Sequence, residues 1–123
     1  MEHKKLVLFH GVKKLEDVDS IMKNGFDLSK IKPLWQNDYA VSTLTTWKSV
    51  KRYFGDKQAA ILRIEFDGTV ASHDEVSIGW VRDAKDYTDK VIKQGIDAVM
   101  LGGEGARQVF IYNVEAIKRI TKL

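Results

Sequence analysis

His10 is the residue that the sequence places best for chemistry, because it ends the apolar run Leu6-Val7-Leu8-Phe9 and is followed by Gly11. A short, β-prone apolar run predicts a buried strand, so we expect the imidazole at a junction between a strand and a loop. A histidine at a strand end, taken alone, is more often a hydrogen-bonded structural residue than a site residue. The function of His10 therefore depends on the residues that accompany it.

Several common kinds of reaction site are excluded by the residue types present. The chain has no cysteine, which excludes disulfides, thiolate nucleophiles and zinc–cysteine clusters. His3, His10 and His73 lack the HxH or HExxH spacing of a metal site, so we expect no metal. The glycines between positions 102 and 105 precede a strand rather than a helix, which argues against a P-loop or a dinucleotide-binding fingerprint. The chain also lacks the GxSxG motif of serine hydrolases.

An ordered set of short segments accompanies His10-Gly11. Asn24-Gly25-Phe26-Asp27 and Tyr39-Ala40-Val41-Ser42 come next, and Trp47 to Gly55, Gly95 to Val99 and Gln108 to Lys118 follow in that order. With these segments the sequence resembles the ADP-ribosyltransferase superfamily of the diphtheria-toxin and poly(ADP-ribose) polymerase type. The resemblance spans roughly residues 6 to 120 and implies an ADP-ribosyltransferase-like domain.

The resemblance implies NAD as co-substrate, without a metal, and a catalytic trio of His10, Tyr39 and Gln108. In such a site His10 holds the adenosine-side ribose, the backbone of Gly11 recognises the nicotinamide amide, and Tyr39 stacks on the nicotinamide ring. The implied cofactor-binding residues are His10, Gly11, Tyr39, Ser42 and Tyr53. Nicotinamide departs from a ribose that develops positive charge, so the site must bend NAD and stabilise that charge.

Gln108 stands where most members of the family have glutamate. Glutamine keeps a hydrogen bond to the ribose but has no charge and cannot act as a base. Glu104, four residues earlier on a glycine-rich loop, is a possible loop acid in its place. Two hypotheses therefore stay open: a mono-ADP-ribosyltransferase that modifies a protein or nucleic acid acceptor, and a catalytically lapsed module that only binds NAD or ADP-ribose. An NAD glycohydrolase and a pure interaction module are further alternatives.

The elements that must position these residues are predicted from hydrophobic periodicity. We predict α+β architecture in a single domain, residues 1–123, with a mixed, mostly antiparallel split β-sheet and short flanking helices. The predicted helices span residues 16–22, 47–54 and 83–94, each with glycine at or just beyond its end. The predicted strands are residues 6–9, 39–42, 59–66, 96–101 and 109–112, with a turn at Asp67-Gly68. Asn113 is expected to cap a short turn before the tail.

Bulk composition sets the remaining expectations. A chain of 123 residues with 44% apolar residues is large enough for one packed core. The start of the chain contains no apolar stretch that would suit a signal peptide or a membrane span, so we expect a cytoplasmic monomer without membrane contact. The net charge of +3 permits a nucleic acid partner without requiring one. Toxin, phage-encoded host modifier and regulatory enzyme all remain open as biological roles.

Overall fold

Six strands and three short α-helices alternate irregularly along the part of the chain that the structure, a computed structural model, describes: residues 1–30, 39–55, 59–102 and 107–123. The elements are β1 (Glu2–Val12), α1 (Leu15–Asn24), β2 (Val41–Leu44), α2 (Trp47–Phe54), β3 (Ala60–Ser72), α3 (Ala84–Lys93), β4 (Ala98–Leu101), β5 (Gln108–Ile111) and β6 (Ile117–Lys122). Single turns of 3₁₀ helix lie at Leu28–Lys30, His73–Glu75 and Val114–Ala116.

The long strand β3 organises the sheet because it pairs with three other strands. It is antiparallel to β1 along most of its length, antiparallel to β6 in its first half, and parallel to β4 at its end. From β4 the sheet continues through β5 and β2 back to β1, where Phe9 lies opposite Leu44. Five strands thus close into a ring in the order β1-β2-β5-β4-β3, and β6 lies beside β3 outside it.

This architecture confirms the predicted single-domain α+β fold with a mixed, mostly antiparallel sheet and short flanking helices. Among the described strands only the β3–β4 pair is parallel. The closed ring differs from the split sheet that we predicted. The difference arises because β3 runs for 13 residues, long enough to leave β6 and continue alongside β4.

Local signals at the helix ends explain where each helix lies. The Thr46 side chain accepts a hydrogen bond from the backbone N–H of Ser49 and caps α2, and Asp83 caps α3 in the same way through Asp86. Such caps satisfy backbone donors that have no partner within the helix. Helix α1 ends before Gly25, whose φ of 78° suits glycine because it has no Cβ. All three predicted helices are therefore confirmed, to within two residues at each end.

The core lies inside the ring, where alternate residues of the strands point inward. Its buried members are Leu8, Val41, Ile64, Phe66, Val70, Ala98, Val109, Ile111 and Ala116. A second buried cluster packs Val91 of α3 against Val99 and Tyr112, and a third packs Val18 of α1 against Val12 and Leu62. Helix α1 thus packs on inward-facing residues at one end of the ring, whereas α3 covers part of its outer face.

The predicted turn at Asp67-Gly68 is wrong, since β3 passes through both residues without a break. A Cβ on Gly68 would lie 2.7 Å from Oδ2 of Asp97 and 3.0 Å from Cβ of Ala116. Glycine is required here because other chain segments approach the strand closely, and not because the chain turns.

The tail also forms a strand that the sequence pattern did not predict. β6 pairs Phe66 with Ile117 and Glu65 with Arg119, so the register shifts and Lys118 has no residue opposite it. This is a β-bulge, which interrupts the alternation of apolar and polar residues by which a strand is recognised. The predicted cap is confirmed, since the Asn113 side chain accepts from the N–H of Glu115.

Candidate functional site

The side chain of His10 joins two strands that have stopped pairing. Its Nδ1 lies 2.6 Å from the main-chain oxygen of Ser42. A carbonyl oxygen can only accept, so Nδ1 carries the proton and donates it. In the neutral ring this leaves Nε2 as a hydrogen-bond acceptor, and no residue in the described part of the chain bonds to it.

Burial favours the neutral form of this imidazole. Desolvation lowers the pKa of His10 below the ordinary value of 6.5, and the hydrogen bond to the Ser42 carbonyl offsets part of that shift. A protonated ring in this position would have to lose hydration that the site does not replace. His10 is therefore neutral at pH 7 and presents an acceptor nitrogen rather than a charge.

The bond between His10 and Ser42 lies where β1 and β2 separate. Phe9 opposite Leu44 is the one residue pair recorded between these two strands in the described ranges. On its other side β1 stays paired with β3 as far as Val12 and Ala60. A split therefore opens between β1 and β2 beyond Phe9, and the imidazole lies at its start.

A cavity of about 270 Å³ adjoins His10 and Gly11. The ring of Phe26 stands edge-on to the imidazole, with 5.2 Å between ring centroids and an angle of 89°. The lining residues are His10, Gly11, Val12, Lys13, Asp17, Ser20, Ile21, Gly25, Phe26, Asp27 and Lys30. The cavity thus combines one aromatic wall, an acceptor nitrogen, two lysines and two carboxylates.

One of these carboxylates is held in its charged form. The side-chain and backbone groups of Ser29 both donate to Oδ1 of Asp27, at 2.6 and 3.0 Å. These bonds lower the pKa of Asp27, because both stabilise the anion. Asp27 is therefore a fixed acceptor at one side of the cavity.

Tyr39 lies two residues before β2 and is held through its backbone. The Thr88 hydroxyl of α3 donates to the main-chain oxygen of Tyr39 at 2.6 Å, and Thr88 is only 2% exposed. The Tyr39 side chain is half-buried. Its position is thus fixed by a helix that lies 49 residues further along the chain.

Gln108 begins β5 and is exposed. It lies opposite Leu44 of β2, which lies opposite Phe9 of β1, so these residues form one row across three strands. Two strand spacings place the Cα of Gln108 about 10 Å from that of Phe9. Because successive residues of a strand point to opposite faces, His10 faces the ring interior and Gln108 the outer face.

The predicted site residues are therefore brought onto neighbouring strands but not into one contact. His10 and Ser42 bond directly, and Gly11 shares the cavity with His10. No described contact joins Tyr39 or Gln108 to His10. Glu104 and the side chain of Tyr53 lie outside the described part of the structure.

Comparison with known proteins assigns no family. No family model, no curated protein and no solved structure matches this chain.

Within the described residues there is no group of three or more histidine, aspartate or glutamate side chains that could hold a metal ion. The described helices are also too short or too polar for any of them to span a membrane.

A larger cavity, of about 950 Å³, lies at the far end of β1 and β3. Its lining includes Lys4, His73, Asp74, Glu75 and Arg107, with Met100 beneath. His73, Asp74, Glu75 and Arg107 are exposed, and Lys4 is half-buried. The cavity beside His10 is smaller, but it holds a hydrogen-bonded imidazole and an aromatic ring and is therefore the candidate site.

Sequence reasoning missed several residues of the His10 cavity. Phe26 and Asp27 belong to a segment that we had recognised, but neither was assigned to the site. Lys13 directly follows the Gly11-Val12 end of β1, so its nearness to His10 could have been inferred from adjacency. Lys30 reaches the cavity only through tertiary folding, and no local pattern indicates it.

Proposed function

We propose that this protein is an NAD-dependent mono-ADP-ribosyltransferase of the cytoplasm, with His10 at the centre of its NAD site. The observation that carries the proposal is the neutral, Nδ1-protonated imidazole, which is fixed by the Ser42 carbonyl and lines a cavity. A ribose hydroxyl is a donor that suits such an acceptor. This supports the ribose-holding role that the family resemblance implies for His10.

The size and charges of the cavity suit one half of a dinucleotide. Ligand pockets commonly span roughly 300–1,000 Å³, so a volume of about 270 Å³ accommodates a nucleoside rather than the whole of NAD. Lys13 and Lys30 line the same cavity and supply the cations that a pyrophosphate requires. The Asp27 carboxylate can accept from a second ribose hydroxyl.

In this proposal the nicotinamide half of NAD lies along the split between β1 and β2. Gly11 lies at that split and Tyr39 lies two residues before β2, which supports assigning the amide contact to Gly11 and the stacking contact to Tyr39. In the proposed reaction the bond between the ribose C1′ and nicotinamide breaks, and its electron pair leaves with nicotinamide. The acceptor nucleophile bonds to C1′ and loses a proton.

Gln108 is the proposed ribose-assisting residue, and its position also supports a second candidate. Its side chain is uncharged and lies on the face of the sheet opposite to His10. A ligand that contacts both residues must therefore pass through the split between β1 and β2. If Gln108 does not reach the ribose, the protein is a binding module for NAD or ADP-ribose without turnover. The acceptor in the enzymatic reading is a protein or a nucleic acid.

The experiment that tests the proposal measures nicotinamide release and NAD binding separately on purified protein. We expect NAD to raise the thermal unfolding midpoint and to be consumed, with nicotinamide appearing, when a suitable acceptor is present. Binding without release favours the binding module. Absence of binding contradicts both versions.

A further inference from the structure

The outer face of α2 concentrates positive charge beside an exposed aromatic ring. Lys48, Lys51 and Arg52 are exposed, and the helix contains no acidic residue. Trp47 is 43% exposed, although Val50 of the same helix is almost completely buried. The helix thus turns one side to the core and leaves an indole and three cations in solvent.

Two of these cations lie directly over the indole. The ammonium nitrogens of Lys48 and Lys51 are 5.9 and 5.5 Å from the ring centroid of Trp47. Within the described ranges, no carboxylate forms an ion pair with Lys48, Lys51 or Arg52. Their charge is therefore available to an anionic partner.

This surface adjoins the start of β5. The backbone N–H of Thr45, two residues before α2, donates to the main-chain oxygen of Arg107 at 3.2 Å. The Arg107 side chain does not belong to this surface, because its guanidinium contacts the sulfur of Met100 at 3.9 Å and lines the larger cavity. Gln108, the next residue, pairs with Leu44. We call Trp47, Lys48, Lys51 and Arg52 the α2 basic surface.

We propose that the α2 basic surface binds single-stranded nucleic acid. An exposed indole can stack on a base, and neighbouring lysines and arginines neutralise phosphates, which is the combination that single-strand binding uses. An acidic protein would satisfy the cations but gives the exposed indole face no comparable stacking partner. Duplex DNA would likewise offer phosphates while keeping its bases stacked on one another.

The proposal does not depend on NAD, so binding is measured without it. Fluorescence anisotropy of labelled single-stranded DNA and RNA of about 16 nucleotides is followed at increasing salt, beside a duplex and a poly-glutamate chain of equal charge. We expect both single strands to bind, with affinity falling linearly on logarithmic axes as salt rises. The duplex and poly-glutamate should bind at least about tenfold more weakly than the single strands.

Matched variants separate this surface from general positive charge. The double variant Lys48→Ala/Lys51→Ala should reduce the salt slope by about 1.4, which corresponds to two lost phosphate contacts. Lys85→Ala/Lys93→Ala on α3 removes the same charge from exposed positions elsewhere and should leave the slope unchanged. If both double variants reduced the salt slope of binding equally, the proposal would be overturned.

Trp47 is tested by replacing its ring. We expect Trp47→Leu to weaken single-strand binding by about tenfold and Trp47→Phe to weaken it less, because a benzene ring still stacks. Thermal unfolding of each variant checks that α2 is intact. Undiminished binding in a folded Trp47→Leu, or preference for the duplex or for poly-glutamate, would refute the assignment.

Discussion

Nδ1 of His10 lies 2.6 Å from the main-chain oxygen of Ser42, across the split between β1 and β2. This bond replaces a strand-to-strand contact with a side-chain contact. It also fixes the tautomer, so that Nε2 is the acceptor. The same interaction therefore has a structural part, at Nδ1, and a proposed ligand-binding part, at Nε2, and the two can be separated by substitution.

The stability of the protein should depend on pH through His10. The folded-state pKa lies below the unfolded value of 6.5, so the unfolded chain binds more protons as the pH falls. The contribution of neutral His10 is therefore complete above pH 6.5 and is lost on acidification from there towards the folded pKa. In the wild type we therefore expect the urea concentration at the unfolding midpoint to decrease as the pH is lowered below 6.5.

His10→Asn is the matched variant for this measurement. The asparagine amide occupies the place of Nδ1 and can still donate to the Ser42 carbonyl, but it does not titrate. Between about pH 8 and pH 5, the urea midpoint of this variant should decrease less with falling pH than the midpoint of the wild type. Parallel pH dependences in the two proteins would show that His10 does not titrate in this way.

Thr88→Val should destabilise the protein and weaken NAD binding. The substitution keeps the shape of a buried side chain but leaves the Tyr39 carbonyl without its hydroxyl donor, which costs about 1–2 kcal/mol. Chemical denaturation measures the loss of stability, and calorimetry measures the affinity for NAD.

Thr43→Val is the control, because Thr43 is equally buried and donates to the Val109 carbonyl at 2.7 Å. We expect a similar loss of stability but a smaller change in NAD affinity. If both variants lower the affinity equally, Thr88 does not act through Tyr39.

Gly68→Ala should destabilise the fold by about 1–3 kcal/mol. The new methyl group would meet Oδ2 of Asp97, which cannot move freely because it accepts from the N–H of Thr69 at 2.8 Å. Asn113 bonds the other oxygen of the same carboxylate at 2.9 Å. Thermal unfolding should therefore show a lower midpoint.

Gly79→Ala provides the comparison, since a Cβ at Gly79 meets nothing within 4 Å. Its midpoint should stay close to that of the wild type. An equal loss in both variants would mean that the approach of Asp97 to β3 is looser than its hydrogen bonds indicate.

Local and non-local determinants explain how much of this fold the sequence predicts. The helices were predictable because Thr46, Asp83 and Gly25 act within one turn of the residues they cap. Gly68 was misassigned because its need for space comes from Asp97, which is distant in sequence. The bulge at Lys118 hid β6 because the alternation of apolar residues is interrupted there.

The residues of the candidate site likewise differ in whether local sequence or distant packing determines their positions. The strand that carries His10 was predictable from its apolar run, but the predicted junction with a loop is wrong, since β1 continues through His10 and Gly11 to Val12. The hydrogen bond from Thr88 to Tyr39 and the presence of Lys30 in the cavity depend on how separate elements pack. The face on which Gln108 lies follows from strand register, which a short motif does not specify.

Gln108 decides between turnover and binding alone. If it assists the ribose, Gln108→Glu adds a negative charge beside the developing cation and should raise nicotinamide release by about tenfold or more. Gln108→Ala should lower release without changing NAD affinity greatly. Unchanged nicotinamide release in both variants would show that Gln108 is not part of the site. Because the Gln108 side chain is exposed, we expect both variants to fold.

The most direct test of the account is calorimetric titration of NAD into the wild type, His10→Asn and His73→Asn. His73 is an exposed histidine on a 3₁₀ turn, so its substitution controls for the loss of an imidazole. We predict that the wild type and His73→Asn bind NAD with equal affinity and that His10→Asn, although folded, binds about tenfold more weakly. No heat of binding in the wild type, or equal affinity in all three proteins, would contradict an NAD site at His10.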